Sequence, residues 1–94
     1  MTAGRKPTNK HRVSDPATCY FADFLLNRRL ALGYTQEQMA ELIGMNTAQY
    51  GRTERAERIL TLPLASRICA ALGITISKAF EGFVPSVGKR QIKN

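Results

Sequence analysis

Only three residues separate two stretches that each open with a helix-starting signal, and that spacing restricts the fold of this chain more than any other feature. The first stretch opens at Thr35, an N-cap type, with Gln38 three positions on, a T-x-x-Q capping box. In such a box the hydroxyl accepts a backbone N–H, and the glutamine reaches back to the N–H of the cap. Tyr34 before the cap and Met39 at the fourth helical position suit a hydrophobic staple. Met39, Ala40 and Ile43 then share one helical face, and Gly44 ends the helix by supplying a left-handed backbone. The second stretch repeats this grammar, with Asn46 as cap, Gln49 as box partner, and Met45 and Tyr50 as staple. Gly44-Met45-Asn46 leaves room only for a sharp turn, so the two helices must cross steeply.

The neighbouring sequence reads as further helices, with almost no strand-like alternation. Asp15 caps a helix with Pro16 at its first position, running to about Leu32 and stopping at Gly33. Phe24, Leu26 and Leu30 make it apolar over more than one stripe, beyond Phe21 and Leu25, so a second face is expected to be covered. A fourth helix starts at Thr61, tolerates Pro63 in its first turn and ends at Gly73, with Leu64, Ile68, Ala71 and Leu72 as its core stripe. A short fifth helix spans about Thr75 to Glu81, turns Ile76 and Phe80 inward and stops at Gly82. The expected fold class is all-α, a compact domain of five helices.

Charge divides the chain into three parts. The net charge is +7, and it lies wholly at the two ends. Residues 1–13 carry Arg5, Lys6, Lys10 and Arg12 with no acid, and residues 84–94 carry Lys89, Arg90 and Lys93 with no acid. The stretch 14–83 balances its basic and acidic residues. The expected organisation is a flexible basic arm over 1–13, a folded domain over 14–83 and a basic tail over 84–94. A neutral body between basic ends suits a polyanionic partner.

Several function classes are excluded. Cys19 and Cys69 lie far apart without a CxxC pair, so no zinc pattern arises, and a lone His11 adds none. Both thiols are expected to be reduced, with no metal and no cofactor. No paired carboxylates, glycine-rich phosphate loop or His/Cys/Asp cluster supports an enzyme. No apolar run approaches the roughly 18 residues of a membrane span, and no apolar h-region follows the basic N-terminus. A cytoplasmic protein is expected.

Two capped helices around a three-residue turn are the physical description of a helix-turn-helix. Its second helix fits the major groove of B-form DNA, where side chains near the helix N-terminus reach base edges. The inward face of that helix carries Tyr50, Thr53 and Glu54, and the outward face carries Thr47, Ala48, Gly51, Arg52 and Arg55. Arg52 has the planar fork that pairs bidentately with guanine. Thr47 can bond a base or a phosphate, and the methyl of Ala48 can touch thymine.

The words NRRLALGYTQEQMAELIGMN, TAQYGRTERAER and ASRICAALGITISKAF stand in an order that resembles the Cro/phage-repressor-type helix-turn-helix family, also called XRE, from Phe21 to Phe83. The resemblance implies that Thr47, Ala48 and Arg52 read base edges. It implies that Gln36 bonds a phosphate, that Gln49 makes a groove-edge or phosphate contact, and that Arg55 and Arg58 track the backbone from the following loop. Arg29 and Glu54 match the family's structural ion pair. Three positions depart from the pattern. Gly51 replaces a better helix former, at a propensity cost of about 1 kcal/mol. Ala56 replaces the usual glycine or asparagine after the recognition helix, and Leu60 replaces a proline, with Pro63 inside the next helix instead.

The function implied is a sequence-specific regulator of transcription on double-stranded DNA, a repressor or activator. A single recognition helix reads few base pairs, so a homodimer on two half-sites is expected. The apolar surplus of the first and fifth helices, notably Phe24, Leu26, Phe80 and Phe83, is its candidate contact. RNA polymerase or a toxin are further possible partners. The alternative is an antitoxin that binds its toxin and its own promoter, and a third reading is a bridging or RNA-binding module of the same fold.

Overall fold

A computed structural model describes residues 11–85 of the chain. Five helices follow one another: α1 (Pro16–Leu32), α2 (Gln36–Ile43), α3 (Thr47–Glu54), α4 (Leu62–Leu72) and α5 (Ile76–Ala79). No strand occurs among the described residues. Each helix starts on a residue that can accept a backbone N–H: Asp15, Thr35, Asn46, Thr61 and Thr75 take the amides of Thr18, Gln38, Gln49, Leu64 and Lys78. The box at Thr35 is complete, because the carboxamide oxygen of Gln38 accepts the Thr35 N–H at 2.8 Å. At Asn46 only half of the expected box forms. Asn46 accepts the Gln49 N–H at 2.8 Å, and the exposed Gln49 side chain makes no return bond to the cap.

Four helices end alike. After α1, α2, α3 and α4 a left-handed residue donates its N–H three residues back, and its successor donates five residues back. This paired capping is the Schellman motif. Gly44 serves at the turn between α2 and α3, where φ is +85°. After α3 the same position falls to Ala56, with φ +59°. Ala56 therefore makes the same paired cap that glycine makes after α1, α2 and α4, at the cost of holding an L-residue left-handed.

The core is a single cluster drawn from all five helices: Phe21 and Leu25 of α1, Met39, Ala40 and Ile43 of α2, Tyr50 of α3, Ala65, Ile68 and Cys69 of α4, and Ala79 of α5. Burial holds the Cys69 thiol above its ordinary pKa, and no disulfide joins it to Cys19.

The aromatic side chains expected at a subunit contact are largely used within the domain. Phe21 stacks on Phe80 at 5.6 Å, Phe24 packs on Phe21 at 5.9 Å, and Tyr20 and Phe83 meet at 5.0 Å. The Tyr20 hydroxyl donates to the Glu81 carbonyl. Helix α5 is shorter than its pattern suggested, because the chain turns at Phe80 and closes onto α1 through these rings. The exposed large apolar residues lie elsewhere: Leu30, Leu32, Tyr34 and Leu42 towards α1's end and α2, Ile59 and Leu62 around the loop before α4, and Val84.

Candidate nucleic-acid interface

The orientation of α3 is fixed by one buried carboxylate. Glu54, in the last turn of α3, has a side chain only 4% exposed and receives four hydrogen bonds. Arg29 of α1 grips it with two nitrogens, Nε to Oε2 at 2.7 Å and Nη2 to Oε1 at 3.1 Å. Gln36 of α2 donates Nε2 to Oε1 at 2.8 Å, and the Tyr50 hydroxyl donates to Oε2 at 2.8 Å. The remaining nitrogen of Arg29 donates to the Tyr34 carbonyl at 3.0 Å. Burial alone would push the Glu54 carboxyl upward, but the bonds from Arg29, Gln36 and Tyr50 outweigh it and hold the carboxyl below its ordinary range. The Arg29 guanidinium is raised by its hydrogen bond to Glu54, and the Tyr50 phenol is raised by burial, then by its own hydrogen bond to Glu54 and by the Glu54 charge.

This arrangement joins Arg29 and Glu54, as the family resemblance implied. It also draws in Gln36, whose expected partner was a phosphate. One amide hydrogen of Gln36 is committed to Glu54, and the second is left for another acceptor.

Along α3, Thr47, Ala48 and Gln49 are exposed, and Arg52 is partly exposed one turn on. Gly51 departs from the outward face drawn from the sequence, since it is buried. The Arg55 guanidinium lies over it, with Nη1 2.9 Å from where a Cβ would stand. Glycine at 51 therefore gives Arg55 room to fold back along α3. Arg55 itself lies beyond the last helical residue and bonds Glu57, Nε to Oε2 at 2.9 Å. Arg52 and Arg58 make no hydrogen bond or ion pair with other described residues, so their guanidinium groups remain available to an outside acceptor.

Arg67 of α4 was not anticipated. It donates to the Gly44 carbonyl and joins Gln49, Thr53, Arg58 and Thr61 around a groove of about 270 Å³ beside α3. The contact spans 23 residues of sequence, and no local pattern encodes it. Two guanidinium groups, those of Arg58 and Arg67, thus line the groove between α3 and α4, and Arg52 adds a third on α3 itself. The exposed acids Asp23, Glu37, Glu41 and Glu81 lie on α1, on α2 and after α5. The balanced body of the chain is unevenly charged in space, which favours a polyanion along that groove.

A short α3 with free polar side chains in its first turns, mounted on α2 by a three-residue turn, defines a DNA-binding helix-turn-helix domain. The chain belongs to the helix-turn-helix family of Cro/C1 type, the XRE family, whose model matches residues 25–78. Its members are regulators of transcription, and that is the class of this protein. Among solved structures it is similar to the restriction-modification controller protein C.AhdI from Aeromonas hydrophila, with 30% identity and a TM-score of 0.60, covering 68% of this chain and 97% of that one. It shares the fold of the clp gene regulator ClgR from Corynebacterium glutamicum, at 20% identity, a TM-score of 0.61, and 71% and 72% of the two chains. The same holds for the hypothetical transcription factor NHTF from Neisseria, at 21% identity, a TM-score of 0.61, and 88% and 94% coverage. No protein of curated function matches the chain. No described helix is long and apolar enough to cross a membrane.

Proposed function

We propose that this protein regulates transcription as a homodimer that reads two half-sites on double-stranded DNA in the cytoplasm, a controller of the kind its neighbour from Aeromonas hydrophila is named for. In each half-site Thr47, Ala48 and Arg52 read base edges. Gln49 and Arg58 contact the groove edge and the phosphate backbone, with secondary contributions from Gln36 and Arg55. The observation that carries this reading is the contrast among the guanidinium groups. Arg29 is spent on Glu54 and Arg55 on Glu57, whereas Arg52 stands on α3 without an internal partner. Its length and planar fork suit the N7 and O6 atoms of guanine.

The test is selection of bound duplexes from a random library with wild type, Arg52→Lys and Gln36→Ala side by side. Lysine keeps the charge but loses the two-pronged geometry. Arg52→Lys is expected to lose about 1–3 kcal/mol on the selected site and to relax preference at one base pair per half-site. Gln36→Ala is expected to weaken all sequences alike. Selection of the wild-type site by Arg52→Lys with unchanged stringency would move base reading to Thr47 and Ala48 or to Arg55.

A further inference from the structure

The loop from Arg55 to Thr61 carries Arg58 at its middle, and both its ends are held from the N-terminal side of the domain. At one end the Val13 N–H donates to the Ala56 carbonyl at 2.8 Å. Arg12 reinforces that end, with Nη1 3.4 Å from the Arg55 carbonyl and Nη2 3.5 Å from Asp23 Oδ1. The Cys19 thiol in turn donates to the Val13 carbonyl at 3.3 Å. At the other end the Leu60 N–H donates to the Thr18 hydroxyl oxygen at 2.9 Å. Thr18 is 3% exposed, and its hydroxyl hydrogen goes to Asp15 Oδ2 at 2.8 Å. The cap of α1 is therefore also a relay to the loop, running from the Asp15 carboxylate through Thr18 to the Leu60 amide.

We infer that Val13 and Thr18 are positioning residues for DNA binding, clamping the loop after the recognition helix so that Arg58 is presented to the phosphate backbone. The inference rests on the DNA-reading role of α3. Neither residue belongs to α3. What they fix is the backbone on either side of an exposed arginine that makes no bond of its own to another described residue. An arginine on an unrestrained loop loses side-chain and backbone freedom on meeting a phosphate, and a clamped one loses less. The clamp also changes the reading of the arm drawn over residues 1–13. Arg12 and Val13 dock on the domain, while residues 1–10, with Arg5, Lys6 and Lys10, lie outside the described residues. Removing 1–13 would therefore remove part of the clamp as well as charge. Arg12 and Val13 therefore act through the loop, and a truncation that removes them should change the effect of Arg58→Ala, whereas one ending before residue 11 leaves the clamp in place.

The experiment is a double-mutant cycle on the full chain, using the duplex that wild type selects. Binding is measured over a salt series at a temperature where circular dichroism shows each variant folded. Arg58→Ala is expected to weaken binding roughly tenfold, as for loss of a charge-assisted bond. It should also lower the salt slope by about 0.9, the value for one phosphate contact. Thr18→Val, which keeps shape but loses the hydroxyl, should reproduce most of that change without altering the preferred bases, and Thr18→Ser should restore it. Thr18→Val combined with Arg58→Ala should bind no more weakly than Arg58→Ala alone. Full additivity, or wild-type binding by Thr18→Val, overturns the inference. Should Thr18→Val fail to fold, Val13→Pro, which removes the loop-facing N–H at the other anchor and also restricts the backbone there, replaces it in the same cycle under the same criteria. A folded wild type that selects no duplex overturns the DNA reading itself, and the inference with it.

Discussion

Glu54 shows how much of this fold depends on single side chains. One carboxylate with its four donors pins α1, α2 and α3 at one point. Removing it strands Arg29 beside a buried, unsatisfied Tyr50 hydroxyl, so Glu54→Ala is expected to cost about 3–5 kcal/mol. That is a large fraction of the stability of a domain this small. The pH dependence has a defined sign. The folded carboxyl is held below its ordinary range, so its contribution is complete above the unfolded value of about 4.3 and is lost as pH falls through the lower folded value. The gap in melting temperature between wild type and Glu54→Gln should therefore be constant near neutrality and close in acid. Tyr50 acts oppositely, because its folded phenol is raised. Its contribution is present below the unfolded value of about 10 and falls away at more alkaline pH. Thermal melts of both proteins across the pH range test this, and a gap that stays constant into strong acid would remove the ion pair as its cause.

At the scale of elements, the end of α3 is the informative one. Its Schellman cap places Ala56 in the left-handed region, where an L-residue costs about 1–2 kcal/mol. The same methyl is fully buried, which returns about 0.8 kcal/mol. Ala56→Gly relieves the first and forfeits the second, so its stability should lie within about 1 kcal/mol of wild type. Ala65→Gly, buried inside α4, has no strain to relieve and loses both packing and about 1 kcal/mol of helix propensity. Chemical denaturation of the two variants should rank them so, and equal losses would mean that Ala56 carries no strain. The comparison also marks where the sequence was legible. Caps at Asp15, Thr35 and Asn46, helix starts near Thr61 and Thr75, and stops at Gly33, Gly44 and Gly73 were readable because they are local hydrogen-bond grammar. The Arg29–Glu54 pair was readable only through the family pattern, since 25 residues separate its members. The cover of Arg55 over Gly51, the tie from Arg67 to Gly44 and the clamp by Val13 and Thr18 were not readable. Each depends on where a flexible side chain or a loop amide comes to rest once the helices have packed, and no periodicity records that.

For the whole molecule, the decisive quantity is how much DNA one domain can read. On the proposed reading, the base-contacting row of α3 is short, Thr47, Ala48 and Arg52, and each good base contact discriminates by only about 1–3 kcal/mol. One copy therefore cannot separate a regulatory site from the excess of competing sequence, whereas two copies fixed by a two-fold axis multiply their discrimination. Phe24, Phe80 and Phe83 are partly buried against Phe21 and Tyr20, so each has only part of its apolar surface left for such a contact. Whatever face is used, a rigid dimer fixes the separation of its two α3 helices, expected at one turn of B-DNA, about 34 Å. That rigidity gives the sharpest test. On a duplex carrying the selected half-sites at their natural spacing, binding should be cooperative and saturate at two copies. Inserting about five base pairs turns one half-site to the opposite side of the duplex, and affinity should fall to that of a lone half-site. The basic ends do not mask this result, since counterion release is indifferent to helical phase and contributes equally to both duplexes. Equal affinity for the two spacings, together with a monomer in sedimentation both free and bound, would mean that each copy reads its site alone.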